Sequence, residues 1–276
     1  MRLIGLRTPR EWRWARGSLL APAIAGLVLV LAGVLPAGFA LLGLALLGLV
    51  LLESAQLRGL IVESDLQHRA LLQIRPLMGE LPIDIGGWAA DPVLVHTAVQ
   101  LLIKGRPHLV LECGSGSSTV ILARCLRALG GGRIVSLDHD TGYAAHTAEL
   151  LRLHGLDDVA TVVTAPLADR QLNGKMVRWY SANYEPLLQG HIDLLLVDGP
   201  PGNTAPKARY PAVPMLREHL APDCWILMHD GDRLDEHAIA YAWRRELGAT
   251  LSYVRGGRGG WLLHRQDAAA RKRPYR

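Results

Sequence analysis

The stretch His-Leu-Val-Leu-Glu-Cys-Gly-Ser-Gly-Ser-Ser, residues 108–118, carries the strongest structural signal in this chain of 276 residues. Its apolar run, Leu109-Val110-Leu111, is typical of a buried parallel strand. The acid Glu112 ends this run, and the turn Gly114-Ser115-Gly116 leads into a predicted helix from 118 to about 129. Glycines let the backbone approach a ligand closely, and a helix N-terminus offers unpaired N–H groups. The stretch therefore predicts a cradle for a nucleotide-like cofactor.

A second predicted strand, residues 133–137, ends at Asp138, about twenty residues after the glycine turn. At that spacing a carboxylate accepts hydrogen bonds from the ribose hydroxyls of a bound cofactor. The dinucleotide-binding fingerprint also requires a glycine three residues after Gly116, where this chain has Thr119. The combination of a glycine turn, a ribose acid and an incomplete phosphate clamp favours a nucleoside without phosphates.

These motifs resemble those of class I S-adenosylmethionine-dependent methyltransferases, and the resemblance covers about residues 88–265. In that family, residues 112–116 are the first motif and Asp138 holds the ribose of the cofactor. The resemblance implies S-adenosylmethionine as the cofactor and O-methylation of a small molecule, a lipid or a lipid-linked sugar. The cofactor contacts predicted on this basis are Glu112, Gly114, Ser115, Gly116, Ser117, Ser118, Asp138, His139 and Asp198.

Strands and helices alternate through the rest of this region, which predicts an α/β fold with a doubly wound, mostly parallel seven-stranded sheet. Further strands are predicted at 159–164, 191–197, 224–229, 250–255 and 260–264, and helices at 92–104, 143–153 and 234–247. The loop Gly256-Gly257-Arg258-Gly259 joins the last two strands as an antiparallel hairpin. A terminal hairpin of this kind resembles methyltransferases and not dehydrogenases.

Two acids, Asp198 and Asp230, follow the fourth and fifth predicted strands, at the edge where open parallel sheets bind ligands. Acids at these places hold magnesium in metal-dependent O-methyltransferases of similar fold, so the resemblance implies a Mg²⁺ site on Asp198 and Asp230. The family's third ligand usually comes directly after the fifth-strand acid, where this chain has Gly231. The alternative is that Asp198 caps a turn and Asp230 caps the next helix.

Three residues are candidates for catalytic contact with the methyl acceptor: Asp198, Lys207 and His229. Lys207 lies in the loop after the fourth strand, from which it could reach a substrate hydroxyl. His229 precedes Asp230, so strand alternation predicts that the two side chains face opposite sides of the sheet. Arg209, in the same loop as Lys207, could clamp an anionic substrate.

Residues 18–52 contain no charged side chain. About 20 apolar residues span the ~30 Å hydrocarbon core of a bilayer. Pro36-Ala37-Gly38 is a turn signal, so two short helices at about 18–35 and 38–52 are predicted to form a transmembrane hairpin. A single tilted span is the alternative.

Five arginines in residues 1–17 predict that this basic N-terminus is cytoplasmic; they are Arg2, Arg7, Arg10, Arg13 and Arg16. A hairpin returns the chain to the cytoplasm, where S-adenosylmethionine is made. We therefore expect a membrane protein whose catalytic domain, residues 88–265, lies on the cytoplasmic side. Residues 53–87 are predicted as a linker with an amphipathic helix at about 57–78, and Trp88 either floors a pocket or packs the linker.

The net charge of +5 is concentrated at the chain ends, including the basic tail at 266–276, and fits contact with anionic lipid rather than nucleic acid. Cys113, Cys125 and Cys224 lie on apolar elements without metal-ligand spacing, which predicts buried thiols in a reducing compartment. Two alternatives stay open at this point: a Rossmann-type NAD-dependent oxidoreductase, and a catalytically inactive membrane scaffold that keeps the methyltransferase fold.

Overall fold

The computed structural model describes residues 14–80, 83 and 91–266. The chain divides between Asp65 and Leu66 into two compact units. Several residues that carry sequence predictions lie outside the described residues: Arg2, Arg7, Arg10, Arg13, Trp88 and the basic tail after residue 266. The predictions that rest on those residues stay predictions.

In the first unit, helix α1 (Leu20–Leu31) runs antiparallel to the start of helix α2 (Leu35–Ile74). A Cβ on Gly26 would lie 2.9 Å from the Gly38 carbonyl oxygen, and one on Gly48 would lie 2.8 Å from a methyl carbon of Leu19. Gly26 of α1 lies against Gly38, and the earlier residue Leu19 lies against the later residue Gly48, so the two helices run in opposite directions. Small residues at such a contact let two helix backbones approach closely.

The turn between these helices lies earlier than predicted. It comprises residues 32–34, with Gly33 at a φ of 80°. Pro36 lies in the first turn of α2, where proline is favoured because its missing N–H has no helical partner. The predicted helix bounds 18–35 and 38–52 are therefore wrong, since Pro36 starts the second helix instead of interrupting it.

Helix α2 also continues without a break to Ile74 and ends in a 3-10 turn at Arg75–Leu77. The predicted linker helix at 57–78 is its second half. Residues 53–56, Glu-Ser-Ala-Gln, contain no proline or glycine, so nothing stops helix propagation at that point. The helices at Trp14–Leu31 and Leu35–Leu77 are long and apolar enough to cross a membrane by length and composition alone.

The second unit is an α/β domain. Its strands are β1 Leu109–Cys113, β2 Arg133–Asp138, β3 Ala160–Thr164, β4 Leu167–Leu172, β5 Lys175–Tyr180, β6 Ile192–Val197, β7 Leu220–His229, β8 Thr250–Val254 and β9 Gly260–Arg265. Its helices are α3 Pro92–Gly105, α4 Ser117–Leu129, α5 Thr141–Leu153, α6 Ala212–Leu216 and α7 Leu234–Leu247, with 3-10 turns at Glu185–Leu187 and Arg217–His219.

Seven of these strands form one sheet in the order β3-β2-β1-β6-β7-β9-β8. The pairs from β3 to β7 are parallel, and β9 is antiparallel to both of its neighbours. This topology confirms the predicted fold, a mostly parallel seven-stranded sheet with a C-terminal antiparallel hairpin. The carboxyl ends of β1, β2, β6 and β7 meet at one edge, which is where such sheets bind ligands.

The side chains of β1 point alternately into two hydrophobic layers, as expected for a strand buried on both faces. Val110 packs in one layer with Val120 of α4, and Leu111 packs in the other with Trp179 and Trp243. All five residues of β1 are buried. The strand that ends in the glycine turn is therefore held rigidly at the centre of the domain.

A second, two-stranded sheet, β4–β5, lies between β3 and β6 in the chain and was not predicted. Asn173 and Gly174 join its strands with φ values of 49° and 77°. An Asn-Gly pair with two positive φ angles is the preferred two-residue hairpin turn. Trp179 and Tyr180 at the end of β5 are fully buried in the central core, so the hairpin covers the sheet where a crossover helix is usual.

Candidate active site

The glycine turn lies directly beyond β1. Gly114 has a φ of 97°, and its N–H donates to the Leu137 carbonyl of β2 at 2.8 Å. A Cβ at this position would lie 3.4 Å from the carbonyl carbon of Asp198, the residue that follows strand β6. The turn therefore needs glycine for its left-handed backbone and sits beside Asp198 at the ligand edge.

Glu112 lies beneath this turn and is fully buried. Its two carboxylate oxygens accept hydrogen bonds from Ser118 Oγ and Thr119 Oγ1, each at 2.5 Å. Thr119 Oγ1 also accepts from the Gly116 N–H at 3.1 Å. Thr119, which stands where a dinucleotide fingerprint has glycine, thus links the turn to the acid. We expect Glu112 and Ser118 to hold the turn in place rather than to contact a cofactor.

Burial raises the pKa of Glu112 to about 7, against the smaller opposite effect of its hydrogen bonds from Ser118 and Thr119. The stabilising effect of this group is therefore complete below its unfolded-state pKa of 4.5 and is lost as the pH rises through 7.

We expect the free energy of unfolding to fall by up to roughly 3 kcal/mol as the pH rises from 4.5 through 7. In Glu112→Gln the fall should disappear, as measured by urea unfolding at several pH values. The exposed-site variant Glu149→Gln should keep the wild-type slope, and equal slopes in all three proteins would contradict this role of Glu112.

Asp138, at the end of β2, lies against the turn and is 5% exposed. Its Oδ2 accepts hydrogen bonds from the Ser115 N–H at 2.9 Å and from Ser115 Oγ at 2.6 Å. Its Oδ1 accepts from the Asp140 N–H at 3.0 Å and lies 3.5 Å from His139 Nδ1. The structure thus brings the predicted ribose acid, Ser115 and His139 together at the carboxyl ends of β1 and β2.

Asp198, His229 and Asp230 form a second cluster at the ends of β6 and β7, with potential ligand atoms within 4.8 Å of one another. His229 Nδ1 lies 2.8 Å from Asp198 Oδ1. Strand alternation predicted that His229 would face away from Asp230, and this is wrong. Asp230 has a φ of 57°, so the strand ends there and its side chain turns back toward that of His229.

Arg209 joins this cluster from the loop after β6. Its Nη2 donates to Asp230 Oδ2 at 2.6 Å and lies 3.3 Å from Asp198 Oδ1, and its side chain is 3% exposed. Its Nη1 donates to the His229 carbonyl oxygen at 2.9 Å. Buried partners within the protein occupy the Arg209 guanidinium, so its donors are directed to the protein and we do not expect it to clamp a substrate.

The ionisation of the cluster follows from these contacts. Burial alone would lower the pKa of His229, but its hydrogen bond with Asp198 and the nearby carboxylates of Asp91 and Asp230 raise it to about 9. Burial raises the pKa of Asp198, but the His229 hydrogen bond and the charges of His229 and Arg209 outweigh it, so the pKa is lowered. At neutral pH, a protonated His229 therefore donates to an ionised Asp198.

A cavity of about 670 Å³ opens next to this cluster. Charged groups of both signs line it, among them Asp198, Arg209, Asp230, Arg233, Asp235 and Arg258. The side chain of Asp198 is 24% exposed, whereas His229 is almost fully buried beneath it. Lys207 is exposed, with its N–H donating to Asp235 Oδ2, and it does not line the cavity.

Two residues of the site escaped the sequence analysis. Asp91 caps α3 by accepting from the Val93 N–H, and its Oδ2 lies 4.0 Å from His229 Nε2. The pair Asp91-Pro92 is a helix-start signal, but such a signal does not indicate that the carboxylate lies beside the histidine. Tyr180 places a buried hydroxyl against Gly199, where an added Cβ would lie 2.5 Å from it. No sequence signal indicates this contact, because Tyr180 belongs to the hairpin that was not predicted.

Residues 111–231 match a protein-family model described as a methyltransferase domain. No curated protein sequence matches the chain. A similar solved structure is an SAH-bound methyltransferase from Podospora anserina, at a TM-score of 0.52 and 15% identity, covering 78% of this chain and 96% of that one. An O-methyltransferase from Bacillus cereus has a TM-score of 0.46 at 17% identity, with 73% of this chain and 91% of that chain covered.

Proposed function

We propose that the chain is a membrane-anchored, class I S-adenosylmethionine-dependent methyltransferase that methylates an oxygen of a small molecule, a lipid or a lipid-linked sugar. The observation that carries this proposal is the sheet edge shared by two sites. The glycine turn and Asp138 lie at its cofactor side, and the charged cavity lies at its acceptor side. The two sides meet where a Cβ added to Gly114 would lie 3.4 Å from the Asp198 carbonyl carbon.

On the cofactor side, the turn from Gly114 to Ser117 offers backbone N–H groups at the start of α4. Asp138 would accept hydrogen bonds from the ribose hydroxyls, with Ser115 and His139 beside it. Bound S-adenosylmethionine supplies a methyl group on a positively charged sulfur. The protein supplies the orientation, because methyl transfer to oxygen depends mainly on in-line placement of the acceptor.

On the acceptor side, we assign Asp198 to contact the acceptor hydroxyl, since its side chain is partly exposed and its backbone lies beside the glycine turn. Its lowered pKa makes it a weak base, so its main role is to accept a hydrogen bond and orient the oxygen. His229 is a positioning residue that fixes the Asp198 carboxylate. Lys207 is a weaker candidate because it lies outside the cavity lining.

The acceptor should present a polar group, because the cavity has charged walls of both signs. A hydrocarbon alone would leave those charges without water or a partner. An alcohol, a phenol or a sugar hydroxyl would replace the lost water by hydrogen bonds. A lipid or lipid-linked acceptor would enter with its head group.

The membrane anchor is supported by the first unit. Its helices carry large apolar side chains outward; Leu31 is 78% exposed and Phe39 60%. Arg16 and Glu53, the first charges on either side of the uncharged run, form an ion pair at 2.7 Å. The beginning and the end of the uncharged run therefore lie side by side, as a hairpin requires and a single span does not.

We expect the full chain to remain with membranes after carbonate extraction, with a C-terminal tag protected from protease in spheroplasts of a bacterial host. Leu46→Arg should weaken insertion by about 2.5–3.5 kcal/mol, because it places a charge on the exposed apolar part of α2. Leu60→Arg, also exposed but beyond the apolar run, is the matched control and should leave the chain membrane-bound. Cleavage of the tag in intact spheroplasts would indicate a single span and contradict the cytoplasmic placement.

Replacing Asp138 by alanine should weaken S-adenosylmethionine binding by about 1–3 kcal/mol, since the ribose hydroxyls and Ser115 lose a buried acceptor. Titration calorimetry measures the change. Asp140→Ala removes a neighbouring acid that caps α5, and it should leave the affinity within about threefold of wild type. Equal affinities of Asp138→Ala and wild type would remove Asp138 from the cofactor site.

The activity itself is tested with methyl-labelled S-adenosylmethionine, using the detergent-solubilised full chain and fractions of small molecules and extracted lipids. The proposal expects label transfer to an alkali-stable methyl ether in one fraction, and no transfer by Gly114→Val. A chain that binds S-adenosylmethionine but transfers label to no fraction would favour the inactive scaffold.

A further inference from the structure

The Arg209 guanidinium lies between the two acids that a metal-dependent relative would use for its cation. Its Nη2 is 2.6 Å from Asp230 Oδ2 and 3.3 Å from Asp198 Oδ1. The three side chains are at the sheet edge, with Arg209 and Asp230 each 3% exposed. One nitrogen thus contacts both carboxylates from inside the space that they enclose.

A magnesium ion would need this space for itself. It binds carboxylate oxygens at 2.0–2.1 Å with near-octahedral geometry and retains several waters. Its two positive charges would face the guanidinium at short range in a buried site, where like charges repel strongly. The ligand atoms of Asp198, His229 and Asp230 are near enough to bind a metal, but only if Arg209 leaves.

The charges around the cluster are already balanced. Arg233 Nη1 lies 3.0 Å from Asp230 Oδ2, and Arg258 Nε lies 3.4 Å from Asp230 Oδ1. Glu236 Oε1 lies 3.8 Å from Arg209 Nη1. With the protonated His229 and the ionised Asp91 included, four positive side chains face four acids around the cluster, and an added divalent cation would leave an excess of positive charge.

Arg209 also connects the two loops that form the cavity wall. Its donors reach the carbonyl oxygens of Asp198 at 3.0 Å and His229 at 2.9 Å, which belong to the ends of β6 and β7. A metal would connect these loops through their side chains, whereas the planar guanidinium also binds their backbones. Lysine would be a poorer substitute, because it lacks the fixed fork of donors.

We propose that Arg209 is the resident cation of this site, that it takes the place of a divalent metal, and that the chain works without one. Arg209 is then a positioning residue, which holds Asp198 and Asp230 and through them the acceptor cavity. The predicted Mg²⁺ site on Asp198 and Asp230 does not fit this arrangement. The proposal rests on the proposed methyltransferase function only for its activity measurement.

The test measures Mn²⁺ binding to the full chain by electron paramagnetic resonance, since Mn²⁺ is a spectroscopic substitute for Mg²⁺. Wild type should bind no Mn²⁺ at this site, and Arg209→Lys should behave alike because it keeps the positive charge. Arg209→Gln should gain a site, with affinity for Mn²⁺ at least about tenfold above that of wild type. The double variant Arg209→Gln with Asp198→Asn should lose the gain, which a purely structural role of Arg209 would not predict.

One bound Mn²⁺ per wild-type chain, lost in Asp198→Asn, would overturn the proposal. This comparison does not involve an Arg209 variant, so it decides the question even where Arg209→Gln fails to fold. Folding of each variant is checked by circular dichroism. In the activity measurement, excess chelator should leave the rate of wild type unchanged, and a loss restored by Mg²⁺ would also overturn the proposal. Absence of S-adenosylmethionine binding would instead refute the methyltransferase function and leave the Mn²⁺ result valid.

Discussion

Gly114→Val should abolish the binding of S-adenosylmethionine, with a loss of affinity of about 100-fold or more. Gly114 has a φ of 97°, which a β-branched residue adopts only at a cost of about 1–3 kcal/mol. The valine methyl groups would also extend from a Cβ that already lies 3.4 Å from the Asp198 backbone. The turn must then shift, and the backbone cradle with it. Titration calorimetry of the folded variant measures the loss.

Gly155→Val is the matched control for backbone strain. Gly155 has a φ of 60° in the loop after α5, and nothing lies within 4 Å of an added Cβ there. This variant should lose stability because its left-handed backbone is strained as in Gly114→Val, but it should keep its affinity for S-adenosylmethionine. If both variants bind as wild type does, the glycine turn is not the cofactor site.

Trp179→Ala should lower the free energy of unfolding by about 3–5 kcal/mol, the usual cost of removing a large buried aromatic side chain. Trp179 is fully buried in the central core. Its Nε1 donates to Tyr184 Oη at 3.2 Å, and its ring lies 4.9 Å from that of Tyr180 in an edge-to-face contact. Urea unfolding measures the difference.

Met176→Ala on the same strand is the matched control, because that side chain is 64% exposed. We expect it to change the unfolding free energy by less than about 0.5 kcal/mol. Similar values for the two variants would mean that the β4–β5 hairpin does not carry the core contact that replaces a crossover helix.

Elements with strong local signals could be predicted from the sequence to within a few residues. Helix α7 (Leu234–Leu247) matches its predicted bounds, and β1 extends only to Cys113 beyond the predicted run. A buried parallel strand and an amphipathic helix each have a periodicity that few alternatives share. The mostly parallel seven-stranded sheet followed from the alternation of these elements and from the terminal hairpin signal.

The hairpin β4–β5 could not be predicted in the same way. Its strands carry charged residues such as Asp169 and Arg170, so the hydrophobic alternation of a half-buried strand is weak. Only Asn173-Gly174 gives a local signal, and a single turn dipeptide without flanking apolar alternation is insufficient.

In the candidate site, too, some contacts could be predicted from the sequence and others could not. The glycine turn and Asp138 lie on neighbouring strands, so their meeting follows from a fixed spacing. The Arg209 contacts join residues 11 and 21 positions apart across loops, and they depend on the tertiary path of those loops. The turning of Asp230 toward His229 depends on a left-handed backbone at a non-glycine residue, which alternation rules do not anticipate.

The most direct test of the methyltransferase assignment is calorimetric titration of the purified full-length chain with S-adenosylmethionine and, separately, with NAD. We predict that one equivalent of S-adenosylmethionine binds to wild type and none to Gly114→Val, whereas NAD releases no heat of binding. A folded wild-type chain that binds NAD, or that binds no S-adenosylmethionine, would contradict the assignment.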